Sequence, residues 1–164
     1  EKFLFLILEI IKNYPNMNIL LKPKHEPSKY NDYKTTNELI KNLSSIKKFK
    51  IVSGDIFSTK LSYASEAVIS MPFASSGFEA MCLGVRSFYV DSMNVYKNSY
   101  YDNFKNLISH SNREALENLE HWMKIDQKDV VSQYKEIFQD SGIYNNTNKA
   151  SEVIRKKIIN EKIN

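Results

Sequence analysis

Cysteine is almost absent from this sequence. The one thiol among 164 residues, Cys82, excludes an internal disulfide and favours a reducing compartment. We expect Cys82 to be a buried, unreactive thiol, because the predicted helix around it places Phe78 and Met81 nearby. Groups of His, Cys and Asp with the spacing of metal ligands are also missing, so the sequence predicts no protein-bound metal and no cofactor.

The sequence has no dense block of basic residues. Its 23 Lys and Arg exceed its 19 Asp and Glu, which gives a net charge of +4, but the basic residues are spread along the chain. They do not alternate with aromatic residues in the way that is typical of nucleic-acid-binding surfaces, so nucleic acid is not an expected partner. A mildly basic surface suits an anionic ligand or peripheral association with a membrane.

No hydrophobic run is long enough to cross a bilayer. The longest, residues 3–11, is about half the required length, and a turn at residues 13–16 replaces the small-residue site that would follow a signal peptide. The pattern therefore predicts a buried helix over residues 2–12. Because the chain begins with Glu1 and a helix, we expect residues 1–164 to form a single domain of a larger, two-domain protein.

Runs of strand length alternate with amphipathic stretches along the chain. Predicted strands cover residues 18–22, 49–52, 67–70, 87–90 and 107–109. Predicted helices cover residues 37–46, 58–65, 78–83, 113–124 and 129–138, and a basic helix begins at residue 147 or 148. Ser58 and Asn112 are predicted helix caps. This alternation predicts the α/β class, with a doubly wound parallel sheet flanked by helices.

Residues 66–92 contain a compact strand–turn–helix–strand unit. Ser75 or Ser76 is the predicted cap of its helix, which ends at Gly84. The start of a helix carries partial positive charge and binds phosphate, and Glu79 lies one turn further, within reach of sugar hydroxyls. The same residues also fit a simple helix cap with a solvated Glu79, and their spacing does not separate the two interpretations.

Polar residues follow four of the predicted strands, at residues 22–26, 54–55, 70–76 and 91–92. The carboxyl ends of parallel strands gather at one edge of a sheet, where ligands of open α/β folds bind. We therefore expect these four segments to meet around one ligand. Trp122 is expected in the core, and His110 and His121 at the surface or in packing contacts. The loop containing Tyr96, Tyr100 and Tyr101 fits either an acceptor cleft or an ordinary amphipathic rim.

Five segments in order, KPKHE, GD, SYASEA, VISMPFASSGFEAMCLG and FYVD, resemble the carboxyl-terminal, donor-binding domain of GT-B glycosyltransferases. The chain is most similar to bacterial enzymes of capsule and surface-polysaccharide assembly, including Kdo-transferase-like families. The resemblance implies a Rossmann-like half of a GT-B fold and a nucleotide-sugar donor as substrate, with a CMP-linked donor as the family-level preference. It also implies a cytoplasmic location, at the inner face of the membrane.

The resemblance implies roles for individual residues. It gives the donor phosphate site five residues: Lys22, Lys24, Ser75, Ser76 and Gly77. It places Glu79 at the ribose and Asp55 at the nucleotide base. Lys24 stands where many relatives have a His, and His25 follows one residue later, which leaves open which of the two enters the site. His25 is a candidate general acid or base, although in GT-B enzymes the base usually comes from the other domain.

Other functions remain open. The glycan acceptor would lie on an amino-terminal domain absent from this chain, so we expect the isolated chain to be catalytically inactive. One alternative is a non-catalytic GT-B-like binding or structural module. A second is a sugar-nucleotide 2-epimerase-like domain, which would have Ser-Gly-Gly and Glu-Glu where only Ser76-Gly77 and Glu79 appear. A third, a response-regulator-like domain, would need acidic residues where Lys22 and Lys24 stand.

Overall fold

The computed structural model describes residues 1–24, 33–104 and 106–140, with only the backbone described at residues 100, 101 and 140. The α-helices are α1 (Lys2–Asn13), α2 (Lys34–Ser44), α3 (Ser58–Tyr63), α4 (Ser75–Cys82), α5 (Asn112–Lys124) and α6 (Val130–Asp140). The strands are β1 (Ile19–Leu21), β2 (Phe49–Ile51), β3 (Ala67–Ser70), β4 (Arg86–Val90) and β5 (Ile108–Ser109). His25 and the predicted basic helix from residue 147 lie outside the described residues.

Every strand pair in the described ranges is parallel, which confirms the predicted α/β class with flanking helices. β1 pairs with β2, with Ile19 opposite Phe49. The order β3-β4-β5 forms a second sheet, in which Ser70 lies opposite Tyr89. An α-helix connects β1 to β2 and β3 to β4, whereas β4 is connected to β5 by a long loop that contains a 3₁₀ turn at Tyr100–Asn103. The hydrogen-bonded ladder is thus divided into sheets of two and three strands.

Helix α1 contributes to both parts of the hydrophobic core. Leu6 and Ile10 pack into the cluster that also contains the fully buried Phe88 and Trp122. On the other side of the same helix, Leu4 and Ile7 pack with three residues from α2 and β2: Leu39, Leu43 and Phe49. The predictions of a buried amino-terminal helix and of a core Trp122 are confirmed. Among the residues that the structure describes, no helix combines the length and apolarity needed to cross a membrane.

The N-caps of three helices lie one or two residues before the predicted positions. Ala74 is the N-cap of α4 and Phe57 that of α3, so Ser75 and Ser58 are the first helical residues and neither hydroxyl caps a helix. Ser111, not Asn112, caps α5, and its Oγ accepts a hydrogen bond from the Glu114 N–H at 3.2 Å. The cap predictions at these starts were therefore wrong by one or two positions. Residues without a capping side chain, such as Ala74 and Phe57, also adopt the backbone conformation that precedes a helix.

The prediction that Cys82 is buried was wrong, since the thiol is exposed. Positions four residues apart share one face of a helix, so Cys82 lies beside Phe78, which is 56% exposed. The opposite face of α4 carries Gly77, Ala80 and Met81 into the core. The predicted end of the helix is confirmed at Gly84, whose φ of 71° suits a residue without a side chain.

Candidate functional site at the carboxyl edge of the strands

The first turn of α4 packs tightly against the sheet at Gly77. A β-carbon at this position would lie 2.5 Å from Ser70 Oγ and 2.5 Å from Tyr89 Cε1, which is closer than van der Waals contact allows. Glycine is therefore required for α4 to approach β3 and β4 this closely. This packing holds the start of α4 close to the carboxyl end of β3, where a ligand of an α/β fold is expected.

Two backbone N–H groups at this helix start are available to a ligand. The Gly77 N–H donates to the Ala74 carbonyl oxygen at 3.1 Å. The N–H groups of Ser75 and Ser76 have no acceptor within residues 1–24, 33–104 and 106–140, and no side chain caps the helix. Such N–H groups, together with the helix dipole, favour a bound anion.

The turn before α4 contains a strained residue. Phe73 has a φ of 55°, a conformation that residues with side chains adopt rarely. Its ring lies 5.6 Å from the Tyr89 ring and 4.8 Å, edge to face, from the Tyr96 ring. Strained backbone conformations of this kind are concentrated at ligand sites, where the surrounding contacts hold them in place.

Glu79 and Ser70 complete the surroundings of α4. Glu79 lies in the second turn and is half-buried, and its carboxylate makes no hydrogen bond or ion pair within the described part of the chain. Ser70 is 7% exposed, and its Oγ has no partner among those residues. Both side chains therefore have polar atoms whose hydrogen-bonding capacity is unused.

The ends of β1 and β2 meet as a second group. Lys22 Nζ donates to the Gly54 carbonyl oxygen at 3.2 Å, and Asp55 follows Gly54 directly. The Asp55 N–H donates to Ser53 Oγ at 3.3 Å, while Lys24 is exposed to solvent. The bond from Lys22 to Gly54 brings together two of the four polar segments that were expected to meet around one ligand. No hydrogen bond or ion pair between described residues joins this group to α4.

A third group lies at the ends of β4 and β5, where residues 91–92 were expected at the site and His110 was not. Asp91, which is 2% exposed, accepts hydrogen bonds from the N–H groups of Val95 at 3.1 Å and Tyr96 at 2.8 Å. His110 places Nδ1 3.2 Å from Asp91 Oδ2 and Nε2 2.6 Å from Asp102 Oδ1. His110 was expected only as a surface or packing residue. Its place directly after β5, at the same edge as Asp91, was the signal that could have identified it.

The electrostatics of this third group favour a charged pair. Burial raises the pKa of Asp91, but the N–H groups of Tyr96 and Val95 and the His110 ring outweigh it, so the net pKa lies below the ordinary aspartate value. Neutral imidazole has only one N–H donor, whereas both His110 nitrogens face carboxylate oxygens. Both hydrogen bonds can be donated only by the imidazolium form.

A polar concavity of about 410 Å³ lies beside this group. Its lining comes from α1, the ends of β4 and β5, and the start of α5: Lys2, Phe5, Glu9, Ser92, Asn94, His110, Ser111 and Asn112. Lys2 Nζ donates to the Ser92 carbonyl oxygen at 3.1 Å, which ties α1 to the end of β4. Across the described ranges, no group of three or more His, Cys, Asp or Glu residues is placed to hold a metal ion.

Comparison with known proteins gives one match. A family model described as "Polysaccharide biosynthesis PFTS motif protein" matches residues 1–123. The chain belongs to this family, which confirms the predicted relation to polysaccharide biosynthesis. Read as one-letter codes, PFTS agrees with Pro72, Phe73 and Ser75, and Ala74 takes the third place. No curated protein and no solved structure matches the chain.

Proposed function

We propose that this member of the polysaccharide biosynthesis PFTS motif family binds the nucleotide-sugar donor of a glycosyltransferase, with the donor phosphate at the start of α4. The observation that carries the proposal is the pair of unused N–H groups at Ser75 and Ser76, which follow the carboxyl end of β3. A helix start in this place of an α/β fold is suited to phosphate. Read as one-letter codes, the PFTS of the family's description agrees with residues 72–75 at three of four positions, and these residues lead into the helix start that presents these groups.

The chemistry of sugar transfer explains why these groups would matter. When the sugar leaves the nucleotide, negative charge develops on the phosphate that remains. N–H groups held in place before the reaction stabilise that charge without reorganising, and this lowers the barrier. Lys22 and Lys24 would add positive charge from the end of β1. Glu79 would accept hydrogen bonds from the ribose hydroxyls, and Asp55 would contact the base.

The acceptor and the catalytic base belong to another part of the proposed enzyme. In this proposal, a growing surface glycan binds on an amino-terminal domain across a cleft, at the inner face of the membrane. His25 remains a candidate acid or base. The 164-residue chain alone is then expected to bind a donor without turning it over. Release of sugar or nucleotide product by the purified chain would contradict this division of roles.

Thermal-shift and calorimetric titrations of the chain test donor binding. The ligand panel contains CMP, CDP, UDP, GDP, their sugar conjugates and inorganic phosphate. A nucleotide at 100 times its dissociation constant stabilises the fold by about 2.7 kcal/mol, or a midpoint shift of roughly 5–10 °C for a domain of this size. Glu79→Gln should weaken binding of the nucleotide and leave inorganic phosphate unaffected. If no nucleotide of the panel stabilises the chain, the donor-site proposal fails.

A second candidate function is a non-catalytic protein-binding module. It is favoured by large apolar side chains exposed around α3 and α4: Phe57 at 71%, Tyr63 at 80%, Met71 at 55% and Phe78 at 56%. A set of this kind near one surface is typical of a protein contact. The two functions differ in the titration above, because a pure binding module should not respond to nucleotide.

A further inference from the structure

His110 connects three segments at the carboxyl edge of the β3-β4-β5 sheet. Its ring lies between Asp91, at the end of β4, and Asp102, in a 3₁₀ turn formed by Tyr100–Asn103. Its backbone N–H donates to Glu114 Oε2 of α5 at 2.7 Å. The His110 side chain is 13% exposed and Asp91 is 2% exposed, so their contact is largely shielded from water, whereas Asp102 is 32% exposed.

The two carboxylates that hold His110 also hold the loop between them. Asp91 accepts the N–H groups of Val95 and Tyr96, and Asp102 accepts the Asn98 N–H. Residues 91–102 are therefore closed into a loop by side-chain to backbone bonds, with the His110 ring joining its two ends. We call residues 91–102 together with His110 the clasp.

Within the described part of the chain, an aromatic contact joins the clasp to the proposed phosphate site. The Tyr96 ring meets the Phe73 ring edge to face at 4.8 Å. Phe73 has the strained φ of 55° and stands two residues before Ser75. Because a strained residue relaxes when its contacts are removed, loss of the Tyr96 contact would change the direction of the N–H groups that follow it.

We propose that His110 is a positioning residue for the phosphate site: as an imidazolium between Asp91 and Asp102, it closes the clasp, and the clasp holds Phe73 and the start of α4. This inference rests on the proposed function, because it concerns the same site. It adds a dependence on pH, since a ring that loses one proton loses one of its two carboxylate bonds.

The charged groups around His110 come from α1, α5 and the two ends of the clasp loop. Asp91 and Asp102 face the ring, and Glu114 accepts its backbone N–H. From α1, Glu9 and Lys2 line the adjacent concavity, and Lys2 is bound to the Ser92 carbonyl oxygen. The ring therefore has four carboxylates and one ammonium group around it.

Amide-resolved NMR on the full chain tests the proposal with sulfate as the probe. Sulfate remains a dianion between pH 5.5 and 8.5, so any dependence on pH comes from the protein. Hydrogen exchange at Val95, Tyr96 and Asn98 reports on the clasp without ligand. The variants are His110→Ala, His110→Gln, which keeps one amide donor in the ring's place, and His121→Gln as a matched control at a half-buried histidine that contacts Asn106 and Trp122 rather than the clasp.

We expect wild-type sulfate binding to shift the Ser75 and Ser76 amide signals and to weaken as pH rises. In His110→Ala, exchange at the three clasp amides should be roughly tenfold faster and sulfate should bind roughly tenfold more weakly, since one charge-assisted bond corresponds to at least about 1.4 kcal/mol. His110→Gln should recover part of the affinity and show a flat pH profile. His121→Gln should behave as wild type.

Each contrary result has a separate meaning. If sulfate does not shift the Ser75 and Ser76 amides of the wild type, the phosphate site itself is wrong, and the positioning role fails with it. If sulfate binds but the clasp amides exchange faster in His110→Ala with unchanged affinity, the phosphate site stands and the positioning role is overturned. A flat wild-type pH profile would overturn the charged form of the clasp.

Discussion

Replacement of Gly77 by alanine tests the packing that places α4 on the sheet. The added β-carbon would lie 2.5 Å from Ser70 Oγ and 2.5 Å from Tyr89 Cε1, with Tyr89 Cζ at 3.0 Å. Both neighbours are only 7% exposed and have little room to move. Overpacking of a buried site typically costs about 1–3 kcal/mol, and the better helix propensity of alanine returns at most about 1 kcal/mol.

We therefore expect Gly77→Ala to lower the free energy of unfolding by about 1–2 kcal/mol, or the thermal midpoint by roughly 2–8 °C. Urea unfolding followed by circular dichroism measures this directly. Ser70→Ala provides the matched background, because its Oγ is one of the two close neighbours and has no partner among the described residues. That variant alone should be neutral or slightly stabilising.

The double variant separates the two contacts. With Ser70 Oγ removed, Gly77→Ala should be less destabilising by about 0.5–1 kcal/mol, a coupling that residues in direct contact commonly show. If Gly77→Ala is as stable as wild type, α4 has room for a side chain at this position, and the prediction of close packing is wrong. If Gly77→Ala lowers the free energy of unfolding equally with and without Ser70 Oγ, the added β-carbon does not displace Ser70, and that part of the prediction is wrong.

Three further predictions follow from single side chains. Arg86 donates to the carbonyl oxygens of Trp122 at 2.9 Å and Ile125 at 2.7 Å. Arg86→Lys should therefore lower the free energy of unfolding in urea by about 2 kcal/mol. Arg113→Lys, at an exposed position, should cause no measurable change. Equal effects of the two changes would contradict this. Cys82 should react fully with a thiol reagent in the native protein, and a need for denaturant would show that it is buried. Burial raises the pKa of Tyr89 to about 12. The buried neutral phenol therefore contributes fully to the free energy of unfolding below pH ~10, the ordinary pKa of tyrosine, and this contribution is lost as the pH rises towards 12. The difference between the absorbance titrations of the wild type and Tyr89→Phe should show Tyr89 ionising late, with unfolding, and a difference that appears near pH ~10 while the protein is folded would contradict the prediction.

Much of the fold could be predicted from the sequence because its signals are local. Apolar runs of strand length and amphipathic stretches gave all five strands and the helices of the described residues to within a few positions. Gly84 marked the end of α4 because a φ of 71° strongly favours glycine. The helix starts were missed by one or two positions, because the N-cap of α4 is Ala74, a residue whose side chain cannot act as a cap.

The exposure of Cys82 and the contacts of His110 were harder to predict, because both depend on how distant segments pack together. Which face of α4 is buried depends on its contact with β3 and β4, and the short helix has apolar residues on both faces. His110 is 19 residues from Asp91 in sequence and meets it only because β4 and β5 are parallel neighbours. A contact of this type follows from topology, which single residues do not reveal.

Phosphate binding at the start of α4 is tested most directly by removing one of the N–H groups there. Ser75 is the first helical residue, a position where proline is tolerated, and Ala74 before it has φ −62° and ψ 131°, which suit a residue preceding proline. Ser75→Pro therefore deletes the N–H group with the helix retained, and Ser75→Ala deletes only the hydroxyl. Ser58→Pro is the matched control, because Phe57 before it has nearly the same backbone angles, φ −59° and ψ 134°.

Calorimetric titration of these variants with sulfate and with the tightest-binding nucleotide of the panel gives the answer. A charge-assisted hydrogen bond of about 1.5–3 kcal/mol corresponds to a loss of roughly tenfold to a hundredfold in affinity. We expect that loss in Ser75→Pro, a smaller one in Ser75→Ala and none in Ser58→Pro. If a folded Ser75→Pro binds both ligands as tightly as wild type, the start of α4 does not hold the donor phosphate.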